Sequence, residues 1–468
     1  MLAGLESMLD RQMNKRSTKP RRAVALPRAA LAGMVAALGV APPATAAPTV
    51  PDPALSECTA MGLSACPQPF DATLPPASSM LQWDPAARLI GFRNTYRQYD
   101  GDVFHTRGAR PYPLPSAATA PPPLRYQMDG KSLGLEDYVE RQSVTGLLVL
   151  KDGHVVIERY GGGNTPSTLW TSRSVAKSVV SILVGMAIKD GSIHSVADPV
   201  TRYLPELAGT AWQDVTLQNL LQHTSGVLWN ENYADPASDF AHLTACEAGK
   251  TPYPCIIGLL RALKRKPGVA PGEVWSYNTG GAWLVGAVLE HATKMTIARY
   301  LETRLWSRFA MQSDGVWQAL VKGEIDMGGH GFNATLRDWG RFGLFVANGG
   351  RLATGEALLP TGWIKQSTSW TQARGSVTPG APHGQFGYQW WSGELDPRSS
   401  SAAAQRTAEG TFWAEGIYGQ GIAINPREHV VMVQWSVWAQ ANGPDSLYEE
   451  RSAFFGALSD ALTTTPRH

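Results

Sequence analysis

Strand-like segments lie towards both ends of this 468-residue chain, and helix-like segments fill its middle. On the N-terminal side, Val144–Leu150 is an apolar, β-prone run, and His154–Tyr160 returns after the tight-turn sequence Lys151-Asp152-Gly153. Further strand-like segments follow near the C-terminus, at Phe386–Trp391, Thr411–Tyr418, Gly421–Asn425 and Val430–Trp435. The simplest assembly is a single sheet to which both ends contribute. The sequence therefore predicts an α/β fold of the α+β type, with an antiparallel sheet built from both ends of the mature chain, flanked by helices.

A mostly helical lobe, at about residues 190–348, is predicted between the two groups of strands, because apolar residues recur there at helical spacing. The strongest helix runs from about Ser174 to Asp190, and Gly191 is a natural stop. The other predicted helices are Thr216–Gln222, Ile256–Arg265, Gly280–Ala292, Ile297–Trp306, Ala334–Ala347 and, after the last strand, Leu447–Leu462.

Residues 1–46 have the pattern of an export signal. A basic stretch precedes a short apolar run, Ala29–Ala41, and Ala44-Thr45-Ala46 fits a small-x-small cleavage site. The run is too short to span a bilayer comfortably. Met13 is an alternative start, and Arg21-Arg22 leaves twin-arginine export open. We expect an exported protein, periplasmic or secreted, with no stable membrane span after signal cleavage.

The charge balance excludes one class of partner. Residues 1–46 hold seven basic and two acidic side chains, so the remainder carries 34 basic and 37 acidic ones. A mature chain without a basic excess lacks the electrostatic footprint of a DNA- or RNA-binding protein. The expected partner is a small-molecule substrate, and no nucleic acid.

The four cysteines form two close sequence pairs, Cys58 with Cys66 and Cys246 with Cys255. In an oxidising compartment these pairs are the natural disulfides, although other pairings remain possible. Neither pair has CxxC spacing and no histidine cluster accompanies them, so we expect no metal and no cofactor. Residues 47–125 are predicted to be a Pro/Ala-rich leader, extended at 47–82 and held by the first disulfide, and residues 126–468 the main domain.

Ser174-Val175-Ala176-Lys177 is the first candidate for chemistry, because it lies in the first turn of the long apolar helix. Residues three apart share a helix face, so the hydroxyl and the amine can meet. The positive helix N-terminus favours an oxyanion and disfavours a second cation, so a partly buried lysine there loses its proton more easily. A general base needs that property. The alternative is a capping serine beside a solvated lysine.

Pro271-Gly272 and the polar, aromatic segment Glu273–Asn278 precede another helix. Tyr277 in this segment can point its phenol into a cleft and relay protons to a leaving group beside a lysine. The alternative is a core tyrosine beside a helix start.

These motifs occur in a characteristic order: Ser174-x-x-Lys177, Leu221-Gln222-His223-Thr224-Ser225-Gly226, Pro271-Gly272 with Tyr277, Arg337-Asp338 with Arg341-Phe342-Gly343, and Gly349-Gly350. Over roughly residues 140–440 the chain resembles the serine β-lactamase-like superfamily, which includes class C β-lactamases, D-alanyl-D-alanine carboxypeptidases, esterases and 6-aminohexanoate-dimer hydrolases. The resemblance implies a hydrolase with an acyl-enzyme intermediate. It assigns the nucleophile to Ser174, the base to Lys177 and the assisting tyrosine to Tyr277.

Two positions depart from the family pattern. Thr279 stands where the tyrosine motif often has Asn, and it is expected to orient Lys177 or a substrate carbonyl. Ala414-Glu415-Gly416 stands where β-lactamases and DD-peptidases carry Lys-Thr-Gly, so the cation that would pair with a substrate carboxylate is missing. Gly416 still allows close backbone approach, and the amides of Ile417 and Ser174 are the expected oxyanion hole.

The chain most closely resembles the 6-aminohexanoate-dimer hydrolase branch, with which it shares a Gly-Gln-Gly ending and a tyrosine loop after His-Thr-Ser-Gly. In that loop Tyr233 is expected to close over substrate, or else to be a surface residue. His330 is expected to line the pocket, with structural packing as the alternative. His223 is expected to be structural.

Competing catalytic schemes lack their motifs: there is no G-x-S-x-G elbow and no H-E-x-x-H zinc motif. The sequence therefore predicts a serine hydrolase cleaving an ester or an amide. Two alternatives remain, namely a β-lactamase or D-amino-acid peptidase and a non-catalytic envelope binding protein on the same scaffold.

Overall fold

The hairpin at Val144–Lys151 and His154–Tyr160 forms because both residues between its strands adopt left-handed backbone. Asp152 has φ 50° and Gly153 has φ 79°, as a type I′ turn requires. The strands then pair antiparallel as far as Gly146 opposite Tyr160. The predicted hairpin is confirmed.

A computed structural model describes residues 53–108, 110–118, 123–369, 374–375, 386–392 and 410–463, and the predicted signal peptide lies outside these residues. The described strands are β1 Gly101–Phe104, β2 Tyr126–Met128, β3 Lys131–Leu133, β4 Val144–Lys151, β5 His154–Tyr160, β6 Trp170–Thr171, β7 Val274–Trp275, β8 Gly315–Val321, β9 Ile325–Asp326, β10 Phe332–Ala334, β11 Arg374–Gly375, β12 Trp391–Ser392, β13 Phe412–Gly416, β14 Gln420–Asn425 and β15 Val430–Ser436. The described α-helices are α1 Pro53–Met61, α2 Pro85–Arg93, α3 Thr95–Gln98, α4 Leu135–Arg141, α5 Val175–Lys189, α6 Leu217–Leu221, α7 Asp239–Glu247, α8 Pro252–Ala262, α9 Thr279–Thr293, α10 Ile297–Leu301, α11 Leu336–Ala347, α12 Trp363–Ser367 and α13 Asp445–Thr463.

The main sheet is built from both ends of the chain, as the sequence predicts. Its order is β12-β13-β14-β15-β4-β5, and all five pairings are antiparallel. The hairpin joins the C-terminal strands where β4 pairs with β15. This pairing places the end of β13 beside the start of α5, where the candidate site lies.

Both faces of the main sheet are covered, which explains why β4 is apolar at nearly every position. Leu148 and Leu150 belong to one core with α5 and α11, whereas Leu147 and Val149 belong to another with Phe454 and Phe455 of α13. Successive side chains of a strand point to opposite faces, so a strand buried on both faces shows no polar alternation.

A second sheet, absent from the sequence prediction, crosses the supposedly helical region. Its path is β1-β8-β10-β6, with β9 added to β8. The lobe that was predicted to be mostly helical, at about residues 190–348, therefore also contains strands, among them β8 at Gly315–Val321. Six of the seven β8 residues are buried, so no alternation marks the strand. Its partner β1 lies about 200 residues earlier, beyond the reach of any local pattern.

The predicted leader, residues 47–125, was expected to be extended at 47–82, but the described part of that stretch contains α1. Residues 83–104 contain α2, α3 and β1, and residues 53–104 belong to the same compact unit as the rest of the described chain. Asp84 caps α2 by accepting from the Ala87 amide. Asp71 accepts from Arg93, so ion pairs and caps order a segment that composition alone presents as a linker.

The predicted strand at Phe386–Trp391 is also wrong. Its backbone forms a turn, with Gln389 at φ 62°, and the Gln389 amide donates to Leu221 of α6. Only Trp391 and Ser392 remain extended, as β12. The helix predicted at Ile297–Trp306 is present, but its second half, Glu302–Trp306, is a π-helical turn.

Both expected disulfides are present, Cys58–Cys66 and Cys246–Cys255. The second joins α7 to α8. Within the described residues, every helix is too short or too polar to cross a membrane.

Candidate active site

Ser174 stands at the N-cap of α5, directly after a strained turn. Arg173 has φ 48°, a left-handed conformation that is uncommon for a residue other than glycine and often marks functional sites. The Ser172 amide donates to Phe332 of β10, which ties the turn to the second sheet. The turn therefore holds the serine at the end of the helix.

Lys177 meets Ser174 one helical turn later, as the SxxK spacing predicts. Its Nζ lies 2.8 Å from Ser174 Oγ and 2.8 Å from the Gly329 carbonyl oxygen. The lysine is only 3% exposed. Burial lowers the pKa of Lys177 to about 8, against an opposing effect of the Glu231 and Glu247 charges. A substantial fraction of such a lysine is neutral near physiological pH, and a neutral amine can accept a proton.

Tyr277 stands on the other side of the serine. Burial raises the pKa of the Tyr277 phenol and nearby Glu231 raises it further, while a hydrogen bond with Ser174 opposes them. Its ring packs on His223 at 4.4 Å between centroids, and Lys177 Nζ lies 5.3 Å from the ring centre. The phenol is therefore protonated at neutral pH and can donate.

His223, which was expected to be structural, positions Tyr277 through hydrogen bonds to the backbone on either side of it. Its carbonyl accepts from the Ser276 amide at 2.8 Å, and its Nδ1 accepts from the Asn278 amide at 3.3 Å. These two hydrogen bonds bracket Tyr277. Burial lowers the pKa of His223 well below its usual range, so the ring is neutral.

The end of β13 lies close against the nucleophile turn, Ser172–Ser174. A Cβ added at Gly416 would lie 2.6 Å from the Ser172 carbonyl oxygen and 3.1 Å from the Ser174 nitrogen. Beyond the regular helix and strand ladders, no described hydrogen bond uses the amide of Ser174 or Ile417. Two amides left free beside a nucleophile can bind a developing oxyanion.

These groups open onto a cleft of about 820 Å³. Among its described lining residues are Ser174, Trp229, Glu231, Tyr233, Tyr277, Trp391, Glu415, Gly416, Ile417 and Tyr448. No group of three or more His, Cys, Asp or Glu side chains in the described residues is arranged to hold a metal ion. Aromatic rings and a few polar groups thus form the walls.

Residues 135–453 match the β-lactamase family model. The chain belongs to the β-lactamase family.

Curated relatives of this β-lactamase-family chain include two named enzymes. A 6-aminohexanoate-dimer hydrolase from Paenarthrobacter ureafaciens is 28% identical over 318 residues, which is 65% of this chain and 75% of the relative. A β-lactamase from Yersinia enterocolitica is 22% identical over 329 residues, covering 64% and 74%. The family and these relatives make the chain a hydrolase of the serine β-lactamase-like superfamily.

Solved structures agree on the fold. A Bacillus anthracis protein assigned as a 6-aminohexanoate-dimer hydrolase has a TM-score of 0.69 at 21% identity, covering 84% of this chain and 100% of that one. A Bacteroides dorei protein assigned as a β-lactamase has a TM-score of 0.54 at 21% identity, covering 70% and 97%.

Glu231, which the sequence motifs do not single out, lines the cleft. Its buried carboxylate accepts from Tyr233 Oη at 2.9 Å and from the Thr279 amide at 3.0 Å, and also from the Thr279 hydroxyl and Trp229 Nε1. All four donors are close to the cleft. The loop sequence Trp229-x-Glu231-x-Tyr233 was the available signal, but only folding brings Thr279 to it.

Two expected substrate contacts lie behind the cleft wall. Thr279 donates to Glu231 through both its amide and its hydroxyl, and no described hydrogen bond joins Thr279 to Lys177. His330 does not line the cleft, because Glu247 holds its Nε2 at 3.1 Å and Gln318 holds its Nδ1 at 3.4 Å. Gly329, the neighbour of His330, supplies the carbonyl that holds Lys177.

Tyr233 and Gly416 do line the cleft. Two contacts hold Tyr233 in the cleft wall. Its hydroxyl donates to Glu231, and its ring packs edge-on against that of Phe240, with 4.7 Å between the ring centroids. The expected closing movement has no counterpart in these contacts.

Glu415 follows Ala414, the position at which the resemblance to β-lactamases and DD-peptidases implies a cation. Its Oε1 accepts from Arg451 of α13. Burial raises the pKa of Glu415, and the Arg451 charge opposes that rise. Arg451 lies behind the wall among the rings of Trp413, Trp438 and Tyr448.

Proposed function

We propose that this hydrolase cleaves an ester or amide bond through an acyl-enzyme intermediate, with Ser174 as nucleophile and Lys177 as its base. The observation that carries the proposal is the 2.8 Å contact between Lys177 Nζ and Ser174 Oγ inside a buried site. Hydrogen-bond reach between nucleophile and base is the geometric requirement for this chemistry. A general base must also be partly unprotonated, and the pKa of Lys177, lowered to about 8, meets that electrostatic requirement.

In acylation, neutral Lys177 takes the Ser174 proton while Oγ bonds to the substrate carbonyl carbon. The carbonyl oxygen becomes an oxyanion, for which the amides of Ser174 and Ile417 are the proposed donors. The bond to the leaving group then breaks. Tyr277 gives its proton to the departing atom and regains one from the Lys177 ammonium. The Ser174 proton therefore ends on the leaving group, by way of Lys177 and Tyr277.

In deacylation, water attacks the acyl carbon in place of the departed group. Its proton passes through Tyr277 and Lys177, and the Ser174 oxygen leaves the carbonyl carbon and is reprotonated. The carboxylic acid product departs, and the resting site is restored. The raised pKa of Tyr277 supports the relay, because a phenol must hold its proton in order to donate it.

An ester or an open-chain amide fits this cleft better than a penicillin. β-Lactam recognition in the family uses a cation on the cleft strand to pair with the substrate carboxylate, and this chain has Ala414 at that position, followed by Glu415. The relative from Paenarthrobacter ureafaciens is named for hydrolysis of a linear amide dimer. A related small amide or ester is therefore the proposed substrate.

Export is part of the same proposal. Disulfides form and persist in oxidising compartments, and this chain has two. Residues 1–46 have the sequence pattern of an export signal. The hydrolase would then meet its substrate outside the cytoplasm.

Covalent labelling tests the proposal. A fluorophosphonate should label the protein on the peptide that contains Ser174, and Ser174→Ala should abolish both labelling and 4-nitrophenyl ester hydrolysis, by at least about 10³-fold. Ser181→Ala is the matched control, because Ser181 lies buried on the same helix with a hydroxyl that no described residue bonds. Full hydrolysis by Ser174→Ala would refute the mechanism, and absence of any adduct on the native chain would favour a binding protein.

A further inference from the structure

The two carboxylates that line the cleft differ in how many of their hydrogen-bond positions are used. Glu231 receives four donors, two on each oxygen. Glu415 receives Arg451 on Oε1, and no described residue donates to its Oε2. Glu415 therefore has an acceptor to offer to a ligand, and Glu231 does not.

The charge of the lining points the same way. Among the described residues that line the cleft, Glu231 and Glu415 are the charged side chains, and no lysine or arginine joins them. Arg451 is 2% exposed and held behind Glu415 by three aromatic rings. A ligand entering the cleft therefore meets the carboxylate, while the guanidinium stays out of reach.

We propose that Glu415 is a specificity-determining residue whose free oxygen binds an ammonium group of the substrate, so that the cleft selects cationic or neutral substrates over those bearing a carboxylate. This inference rests on the proposed hydrolase function and narrows its substrate class. It also reverses the charge preference that a cation at this strand would give.

The physical reason lies in desolvation. An ammonium that leaves water for the cleft donates a charged hydrogen bond to Glu415 Oε2, whereas a carboxylate at the same place finds no lysine or arginine among the described lining residues and faces two acids. A zwitterionic amide dimer would gain binding free energy from the hydrogen bond of its ammonium group, whereas its carboxylate group would gain no ion pair in the cleft. An aminoacyl ester or amide with an uncharged leaving group is the better match.

Matched esters test the preference. The native chain should hydrolyse 4-nitrophenyl 6-aminohexanoate with a higher kcat/KM than 4-nitrophenyl hexanoate, and the mono-ester of adipic acid should be poorest. 4-(Aminomethyl)phenyl hexanoate and the uncharged 4-ethylphenyl hexanoate place the same comparison on the leaving group. The preferred cationic member should exceed its neutral partner by roughly ten- to a hundredfold, the range expected for one charge-assisted hydrogen bond.

The variant Glu415→Gln should reduce that ratio to near one while hydrolysis of the neutral ester continues. Glu158→Gln is the matched control, because Glu158 also pairs with an arginine, Arg337, on a strand away from the cleft; its ratio should equal that of the native chain. An unchanged preference in Glu415→Gln, or equal rates on all three acyl esters in the native chain, would overturn the inference. Failure of the native chain to hydrolyse any ester would instead count against the proposed function.

A measurement on the native chain covers the case in which Glu415→Gln does not fold. Hexylammonium should inhibit hydrolysis of the neutral ester at concentrations where hexanoate does not. Equal inhibition by the two ions, or stronger inhibition by hexanoate, would contradict the proposed cation site.

Discussion

The two walls of the cleft follow different rules. On the helical wall, Ser174, Lys177 and Tyr277 supply the proposed proton-transfer groups, and Lys177 Nζ lies 2.8 Å from the Ser174 hydroxyl. On the strand wall, the backbone of β13 closely approaches the nucleophile turn at Gly416, and Glu415 lines the cleft. One wall offers groups that can move protons, and the other offers backbone amides and a carboxylate.

The comparison teaches that bond cleavage and charge recognition are separable in this scaffold. Proton transfer needs side chains of defined type and pKa, because a different group cannot take the same proton. An oxyanion hole needs only backbone amides, so the neighbouring side chain is free to vary.

The largest effect is expected on the helical wall, from Lys177→Met. Loss of the proposed base should lower kcat/KM for 4-nitrophenyl esters by up to about 10⁴-fold. Lys189→Met, at the exposed end of the same helix, should leave it unchanged. Steady-state kinetics on the two purified variants measures both values of kcat/KM. Near-native rates for Lys177→Met would contradict the role of Lys177 as the base.

On the strand wall, Gly416→Ala should lower kcat by about 10²-fold, because the added Cβ would meet the Ser172 carbonyl oxygen at 2.6 Å and displace an oxyanion donor. Gly258→Ala is its control, since a Cβ there meets nothing within 4 Å on helix α8. A thermal melt of both variants separates lost activity from lost folding. A fully active Gly416→Ala would show that the strand backbone is not essential.

The smallest effect concerns pH. The base must be neutral, so kcat/KM should rise with pH through about 8, the pKa of Lys177. Glu231→Gln removes a charge that raises this pKa, so the rising limb should move to lower pH and relative activity at pH 7 should increase a few-fold. Complete pH profiles on one neutral ester provide the measurement.

Tyr233→Phe separates charge from packing in that experiment. It removes one hydrogen bond to Glu231 and leaves the carboxylate in place. Its rising limb should coincide with that of the native chain. A shift in Tyr233→Phe equal to that in Glu231→Gln would mean that the loop geometry, and not the Glu231 charge, controls the base.

Much of the site could be predicted because its parts are local. Ser174 and Lys177 are three residues apart on one helix, so spacing alone places them on the same face. Tyr277 was found through the motif around it. The contacts of Thr279, Glu231 and His330 could not be read from local patterns, because each joins residues distant in sequence: Glu231 lies 48 residues from Thr279 and His330 lies 83 from Glu247.

The sequence by itself determined the main sheet from both ends, the long helix of the SxxK motif, the two disulfides and the family. These features depend on periodicity, turn chemistry or ordered motifs, which are properties of short segments. Only the tertiary structure decided that residues 53–104 supply a strand to a second sheet, that Gly329 holds Lys177, and that Arg451 occupies one oxygen of Glu415 and leaves the other to the cleft. Those contacts join segments tens to hundreds of residues apart, and no local pattern specifies which distant group will meet a given side chain.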